Sequence, residues 1–346
     1  MAFRHLSLGL DLAPMEARTS EAIPEGEGWQ YEPKWDGFRC LAFRDGDTVE
    51  LMSKSGKPLG RYFPEIVEAL LALDPRLFVL DGELVLPVGE VLSFGALQLR
   101  LHPAASRIAR LSRETPAQLM LFDCLQFGDE ALAGLPLKDR RARLERLMRG
   151  ASGPRLCLSP ATTDGRVAAE WFQRSGKALD GVVVKRLDAP YQPGERAMVK
   201  VKQQRTADCV VGGYRKGKNG VGSLLLGLFD RAGKLDYVGF SSSFSDEDRT
   251  ALAKKLAKDE GPSAFTGNSP GGVSRWSNGR STEWVPLKGD LVAEVIYDQV
   301  TAGRFRHGTT FLRWREDKRA DQCTRDQLEH ELSPAALEPV FEAAEA

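Results

Sequence analysis

The sequence predicts a two-domain α+β protein, in which a mixed domain of strands and helices precedes a small β-barrel. The chain has 346 residues, more than one hydrophobic core usually supports. Strand and helix patterns intermingle up to about residue 202, whereas short strands and glycine- and lysine-rich turns dominate after residue 207. We therefore expect one domain at 1–205, a second at 206–332, and an alanine- and glutamate-rich C-terminal tail at 333–346.

Apolar periodicity predicts the elements of the first domain. Alternating apolar residues on both sides of Asp45-Gly46-Asp47 predict a β-hairpin over 36–51. Pro64 suits the first turn of a helix within 61–73, and 136–149 has the leucine spacing of an amphipathic helix. Strands are predicted at 78–87, 119–127, 181–186 and 198–202.

The second half of the chain has the pattern of a barrel. Its strand candidates are CVVGGYR, SLLLGLF, KLDYVGF and LVAEVIYDQV, and a single helix is predicted near 246–258.

The composition excludes several classes of protein. Lys+Arg and Asp+Glu both number 48, so the net charge does not indicate a nucleic-acid-binding protein. Five cysteines without a CxxC pair and four scattered histidines argue against a disulfide scaffold and a structural zinc site. No apolar run approaches the ~20 residues that cross a bilayer, and the N-terminus lacks a signal-peptide core. We expect a cytoplasmic protein without membrane contact.

Charged residues share a face on three predicted strands. If the stretch YEPKWDGFR (31–39) is extended, its charged side chains alternate with Tyr31, Pro33 and Trp35. The residues that share a charged face are Glu32, Lys34 and Asp36 here, Asp81 and Glu83 in FVLDGELV, and Lys200 and Lys202 in MVKVK. Each case alone is also explained by a salt-bridged surface strand. Together they predict a charged groove that suits an anionic polyphosphate and its divalent cation.

A nucleophilic lysine in this groove needs the whole set of charges. An amine must be neutral to attack, and the neighbouring acids Glu32 and Asp36 favour its charged form. Nearby cations such as Lys200 and Lys202 reverse this preference, and so does a bound divalent metal.

Two further groups of basic residues have no acidic neighbours. Residues 98–113 contain Arg100, Arg107, Arg110 and Arg113, of which the last three lie three residues apart on one helix face. Lys216 and Lys218 lie in a glycine-rich turn. Both groups are explained equally by solvated surfaces and by contacts to DNA phosphates.

The tetrapeptide KWDG (34–37) resembles the KxDG motif to which the covalent nucleotidyltransferases attach a nucleotide. The other motifs of these enzymes follow in the same order. They are SKSG (53–56), LDGELV (80–85), LMLFDCL (119–125), DGVVVK (180–185), VKVK (199–202) and RWREDK (313–318).

The closer match of EPKWDGFR and GYRKGKNGVGSLLLG is to the compact bacterial ATP-dependent DNA ligases, of the ligase C type and of the ligase domain of ligase D. The resemblance implies an ATP-grasp-like nucleotidyltransferase domain with mixed antiparallel sheets, followed by an OB-fold domain. It also implies ATP, Mg²⁺ or Mn²⁺, and nicked or broken duplex DNA as the substrate. Because no polymerase or nuclease domain fits in the chain, we expect a stand-alone, monomeric, nucleoid-associated bacterial enzyme of DNA repair and recombination, with repair proteins as partners.

The resemblance assigns roles to matching residues. Lys34 would take the AMP, Phe122 would stack on adenine, and Glu32 would lie near the adenine edge. Arg39 would lie near the ribose or the DNA phosphate, and Glu83 near the ribose or a metal. Asp180 would hold a divalent metal, and Arg315 and Lys318 would orient the leaving pyrophosphate. The nucleotide phosphates would be bound by four lysines, namely Lys54, Lys185, Lys200 and Lys202.

Two positions depart from the motifs. Lys54 stands where the family has arginine, so a two-pronged phosphate contact becomes a point charge. Asp180 stands where the family has glutamate, and it falls on the opposite face of a straight strand from Lys185. Either a bulge intervenes, or Asp180 lies in the preceding turn.

Three alternative functions remain open from the residues. Within the enzymes these are an RNA ligase and an mRNA-capping guanylyltransferase. The third is a non-catalytic module that binds DNA or bridges DNA ends. We also expect a barrel domain that reorients between the ATP step and the nick step.

Overall fold

A computed structural model of the chain describes residues 3–88, 91–151, 153–174, 179–202, 205–218, 220–271, 283–298, 300–301, 303–306 and 308–328. The described residues divide into two compact units, of which the first ends at residue 202 and the second spans 205–328. The predicted tail at 333–346 lies outside the described residues. No helix in the described part of the chain is long and apolar enough to cross a membrane.

The first unit contains strands β1–β12 and helices α1–α5. The strands are β1 (Ala17–Ser20), β2 (Trp29–Pro33), β3 (Phe38–Asp45), β4 (Thr48–Ser53), β5 (Leu77–Val85), β6 (Pro87–Val88), β7 (Val91–Leu92), β8 (Gln118–Phe127), β9 (Glu130–Ala131), β10 (Leu156–Leu158), β11 (Val182–Arg186) and β12 (Met198–Val201). The helices are α1 (Pro64–Leu71), α2 (Phe94–Leu99), α3 (Ala105–Glu114), α4 (Leu137–Arg149) and α5 (Gly165–Arg174), with a 3-10 turn at Gly60–Tyr62.

Local sequence explains where several of these elements begin and end. The predicted hairpin is confirmed as β3 and β4, which pair from Cys40 with Ser53 to Asp45 with Thr48 around a two-residue turn. Pro64 occupies the first turn of α1, where its missing N–H leaves no partner unsatisfied. In α4 the predicted apolar face is buried.

Two sheets carry the first unit. The larger sheet has the order β10-β8-β5-β3-β4, with β9 paired to β8, and the smaller sheet has the order β1-β12-β11-β2. A core that contains Phe63, Ile66 and Leu144 packs helices α1 and α4 with the larger sheet. A separate core joins Leu41 and Phe43 of β3 to Tyr191 and to the N-terminal segment. The charged residues predicted on or beside β2, β5 and β12 are thus carried by these two sheets.

The second unit is built on an antiparallel sheet in the order β15-β14-β13-β17-β20, with β16 paired to β13. Its elements are β13 (Arg205–Gly217), β14 (Gly220–Phe229), β15 (Leu235–Ser241), α6 (Asp246–Leu256), β16 (Val285–Pro286), β17 (Val292–Tyr297), β18 (Val300–Thr301), β19 (Arg304–Phe305) and β20 (Thr310–Trp314), with 3-10 turns at Ala320–Gln322 and Arg325–Gln327. The predicted helix is confirmed as α6, which begins with a capping box between Ser245 and Asp248. Register shifts interrupt the pairing of β13 with β14, β14 with β15 and β17 with β20, and such bulges bend strands around a closed core.

Candidate functional site

A cavity of about 1130 Å³ lies within the first unit. This volume slightly exceeds the ~300–1,000 Å³ of typical small-molecule sites. Eight of the sequence-predicted site residues line it, namely Glu32, Lys34, Arg39, Lys54, Glu83, Phe122, Lys185 and Lys200. Segments that carried no prediction also line it, among them 14–17, Lys57 and Arg61.

The chain positions Lys34 just beyond the end of β2. As the alternation predicts, Tyr31 and Trp35 are buried in an apolar core, while Glu32 and Lys34 line the pocket. After Asp36 the chain passes so close to β5 that a Cβ at Gly37 would lie 1.9 Å from the Leu84 carbonyl oxygen. The glycine of KWDG is thus required by this close approach.

Asp180 is fixed opposite Lys34 by backbone pairing. The Lys34 N–H donates to the Gly181 carbonyl at 2.9 Å, and the Asp180 N–H donates to the Lys34 carbonyl at 3.0 Å. Asp180 precedes β11, and Gly181 has a φ of +128°, so Asp180 lies in the turn and no bulge is needed. A Cβ at Gly181 would also lie 2.0 Å from the Val201 carbonyl oxygen.

The Asp180 carboxylate binds two lysines at once. Its Oδ2 lies 2.5 Å from Lys34 Nζ and 3.0 Å from Lys202 Nζ. Lys200 of β12, two residues before Lys202, lines the pocket. Burial and the charges of Lys34, Lys202 and Lys54 lower the pKa of Lys200. The predicted cluster of lysines around Lys34 is therefore present in the folded chain.

Glu32 and Lys185 form a buried ion pair across β2 and β11. Lys185 Nζ lies 2.7 Å from Glu32 Oε2, and their side chains are 4% and 3% exposed. Lys185 Nζ also lies 4.5 Å from the centre of the Phe122 ring, and Arg39 Cζ lies 4.6 Å from it. An adenine that stacks on Phe122 must therefore share the ring with two cations or displace one of them.

Arg39 is held by a buried network that the sequence did not reveal. Its guanidinium donates to both Asp81 oxygens at 2.6 Å, and Asp81 also accepts from the Tyr191 hydroxyl at 2.7 Å. The Tyr191 oxygen in turn accepts the Met15 N–H at 2.8 Å. Burial opposes the charge of Arg39, but Asp81 overcomes this effect and raises its pKa. Only the shared face of Asp81 and Glu83 was visible in the sequence.

Glu83 is the carboxyl group of the pocket whose titration is most altered. Desolvation raises the pKa of Glu83 to about 7. The positive charges of Arg39 and Lys34 lower this pKa, but they do not outweigh the desolvation, and the negative charges of Asp36 and Asp81 raise it further. Glu83 Oε1 accepts the Gly37 N–H at 3.1 Å. A carboxyl group with this pKa can accept or donate a hydrogen bond near neutral pH.

In the second unit, Arg315 and Lys318 meet at Asp208. Arg315 Nη1 donates to both Asp208 oxygens at 2.9 Å, and Lys318 Nζ donates to Asp208 Oδ2 at 2.7 Å. Arg315 also binds Asp317 through Nε at 2.9 Å and Nη2 at 2.8 Å. Asp208 was not predicted, because no motif marks it and 107 residues separate it from Arg315.

The expectation that Arg100 contacts DNA is not supported. Its side chain is fully buried, and its guanidinium binds Glu65 at 2.8 Å and the Tyr62 carbonyl at 2.7 Å. The other basic candidates remain accessible. Arg110, Lys216 and Lys218 are exposed, and Arg107 is half-buried. Lys54 is 59% exposed at the pocket rim and pairs with Glu16 at 3.1 Å.

The described residues contain no group of three or more His, Cys, Asp or Glu side chains that could hold a metal by themselves. Mg²⁺ usually takes only one or two carboxylates, together with substrate phosphates and water. Asp180 and the half-buried Glu83 are carboxyl groups of this kind.

The first unit therefore combines a lysine, a shared carboxylate and a cationic wall, a combination typical of proteins that act on nucleotides. Sequence comparison gives the family. The family described as ATP dependent DNA ligase domain matches residues 12–202, and the ATP dependent DNA ligase C terminal region matches residues 217–318. The chain belongs to the ATP-dependent DNA ligases, with a nucleotidyltransferase-type ligase domain followed by a C-terminal domain that fits an OB-fold.

Individual relatives agree with this assignment. DNA ligase C2 of Mycolicibacterium smegmatis is 48% identical over 92% of this chain and 94% of its own length. The multifunctional non-homologous end joining DNA repair protein LigD of Mycobacterium tuberculosis is 33% identical over 91% of this chain and 40% of that protein. A solved structure from a study of Lig E DNA ligases, 19% identical, covers 88% of this chain and 99% of that chain with a TM-score of 0.55, and so shares the fold.

Proposed function

We propose that this ligase joins a 5′-phosphate to a 3′-hydroxyl in broken duplex DNA through an AMP carried by Lys34. The observation that carries the proposal is the placement of Lys34 Nζ in the pocket, 2.5 Å from Asp180 and beside Lys200 and Lys202. ATP binds in this pocket as a substrate. We assign the nucleotide step to the domain at 1–205 and a supporting role to the OB-fold domain at 206–332.

In the first step Lys34 Nζ attacks the α-phosphorus of ATP. A nitrogen–phosphorus bond forms, the bond to the oxygen that bridges to the β-phosphate breaks, and pyrophosphate leaves with the bonding electrons. The ammonium must first release a proton to the surrounding water, because only the neutral amine can attack phosphorus. Asp180 holds Nζ in a fixed position beforehand, which favours an aligned attack.

The remaining pocket residues bind and orient the nucleotide. Lys54, Lys185, Lys200 and Lys202 neutralise phosphate charge, and Arg39, fixed by Asp81, lies against the ribose or a DNA phosphate. Phe122 and Glu32 contact the adenine by stacking and at its edge. Arg315 and Lys318 bind the leaving pyrophosphate.

A divalent cation, Mg²⁺ or Mn²⁺, would be held by Asp180 and Glu83. When bound, it would neutralise phosphate charge that develops during the transfer.

In the later steps AMP passes to the 5′-phosphate of the break, and the 3′-hydroxyl displaces it. The exposed Arg110, Lys216 and Lys218, with Arg107, supply phosphate contacts along the duplex. The likeness to a protein named for non-homologous end joining DNA repair supports a role in repair, with other repair proteins as partners.

The test is transfer of label from α-labelled ATP or GTP, with Mg²⁺ or Mn²⁺, to the chain, followed by denaturing electrophoresis. Pyrophosphate treatment first removes AMP that the protein already carries. We expect label from ATP on the wild type and on Lys138→Ala, an exposed lysine of α4, but not on Lys34→Ala. The labelled protein should then seal a nicked DNA duplex.

Other outcomes would redirect the proposal. Label from GTP alone would indicate a capping enzyme, and sealing of nicked RNA rather than DNA would indicate an RNA ligase. DNA binding without any label after pyrophosphate treatment would indicate a non-catalytic module.

A further inference from the structure

Asp208, a residue of β13, binds both of the cations proposed to act on pyrophosphate. Its carboxylate accepts two hydrogen bonds from Arg315 Nη1 at 2.9 Å and one from Lys318 Nζ at 2.7 Å. Its side chain is only 11% exposed. A carboxylate at this depth is ordinarily paired, and here one carboxylate pairs with both cations.

The backbone of Asp208 is itself fixed. Gln327 accepts the Asp208 N–H at 3.0 Å through Oε1 and donates to its carbonyl through Nε2 at 3.1 Å. Asp208 also pairs in register with Glu294 of β17, and the Arg315 N–H donates to the Val292 carbonyl of that strand. The backbone that carries the carboxylate is therefore held from two sides, which is the support that a precisely placed pair of cations needs.

Charge alone does not make this cluster an anion site. Arg315 faces three carboxylates, because Glu294 lies 4.0 Å from it in addition to Asp208 and Asp317. If only net charge mattered, these acids would weaken the attraction of the two cations for a polyphosphate. Their geometry offers a different benefit, because a fixed guanidinium and a fixed ammonium lose less freedom when an anion binds.

We propose that Asp208 is a positioning residue of the nucleotide step, which holds Arg315 and Lys318 side by side so that they bind the departing pyrophosphate as a pair. The ammonium has three donors and Asp208 takes one, so Lys318 can keep this contact while it donates to phosphate oxygens. The inference rests on the proposed function of Arg315 and Lys318.

The test compares two half-reactions of Asp208→Asn, a change that keeps the shape of the side chain and removes its charge. We expect lysine–AMP formation to slow by roughly 10- to 100-fold, as misplacement of binding groups does. Sealing of a nick that already carries AMP on its 5′-phosphate should stay within about twofold, because no pyrophosphate leaves in that step. A residue needed only for folding would slow both half-reactions.

Asp236→Asn is the matched control. Asp236 has the same 11% side-chain exposure, lies in the same unit and binds Arg325 at 2.8 Å, but it contacts neither proposed cation. This variant should lose stability to a similar degree without a selective loss of lysine–AMP formation. If Asp208→Asn does not fold, Asp208→Glu keeps the charge and moves it by one methylene, and the same selective slowing is expected.

The outcomes separate the inference from the function on which it rests. In a background with Arg315→Ala and Lys318→Ala, Asp208→Asn should cause no further slowing. If removal of the two cations slows lysine–AMP formation but Asp208→Asn does not slow it, Asp208 is not a positioning residue. The same conclusion follows if Asp208→Asn accelerates lysine–AMP formation. If removal of the cations has no effect on lysine–AMP formation, their proposed role fails.

Discussion

Both units have a carboxylate that binds two cationic side chains of the proposed site. In the first unit Asp180 lies 2.5 Å from Lys34 and 3.0 Å from Lys202. In the second, Asp208 binds Arg315 at 2.9 Å and Lys318 at 2.7 Å. The charges are alike, but a lysine can lose a proton and an arginine cannot. An arginine in such a cluster can therefore only bind anions, whereas a lysine can also serve as a nucleophile, the role that we propose for Lys34 and not for Lys318.

The substitution Lys34→Arg tests this difference between the two clusters most directly. Arginine keeps the positive charge and a contact with Asp180, but it cannot become the neutral amine that attacks phosphorus. We expect lysine–AMP formation to fall by on the order of 10⁴-fold or more. The measurement is the single-turnover rate of label transfer from ATP.

Lys202→Arg is the matched exchange on the other side of Asp180. If Lys202 contributes charge alone, Lys202→Arg should still transfer a measurable amount of label from ATP, whereas Lys34→Arg should not. Equal losses in the two variants would contradict the view that only Lys34 must lose a proton.

The reverse exchange, Arg315→Lys, should have a smaller effect. Lysine keeps the charge beside Asp208, but it loses the forked contacts that bind Asp208 and Asp317 together. We expect lysine–AMP formation to slow by about tenfold, with pre-formed DNA–adenylate sealed at the normal rate. A loss as complete as that of Lys34→Arg would mean that the second cluster does more than bind an anion.

The sequence predicted the first cluster better than the second for a physical reason. Lys34 and its neighbours lie on or directly beside strands with a charged and a buried face, so alternation indicated which side chains share the pocket. Asp208 lies on β13 far from any motif, and strand pairing alone brings it to Arg315. Tyr191 was missed in the same way. Arg100 was misassigned because a buried arginine that binds Glu65 has the same sequence signature as one that faces solvent.

Glu83 of the first unit and Asp317 of the second should change the free energy of unfolding in opposite directions as the pH changes. The pKa of Glu83 is raised to about 7, so between about pH 4.5 and 7 the folded state holds a proton that the unfolded state releases. Its contribution to the free energy of unfolding therefore falls as the pH rises through this window. Asp317, bound to Arg315, has a lowered pKa and contributes stability that is lost as the pH falls.

The measurement is urea unfolding with EDTA and without ATP. Relative to the wild type, Glu83→Gln should be more stable at pH 8 than at pH 5, by on the order of 1–3 kcal/mol. Asp317→Asn should show the opposite trend, with less stability than the wild type at pH 7 and a difference that narrows as the pH falls below about 4. The same pH dependence for both variants would contradict the assigned environments.

The smallest effects are expected from exposed cations that belong to neither cluster. Arg110 in the first unit and Lys218 in the second each carry one charge at the surface. If each contacts one DNA phosphate, then Arg110→Ala and Lys218→Ala should each lower the dependence of log K on log salt by about one. Binding to a nicked duplex, measured between low and moderate salt, gives this slope. Lys138→Ala, on α4, serves as the control. Counterion release scales with the number of phosphates that the protein neutralises. An unchanged slope for Arg110→Ala or Lys218→Ala would therefore show that this side chain does not belong to the proposed DNA surface.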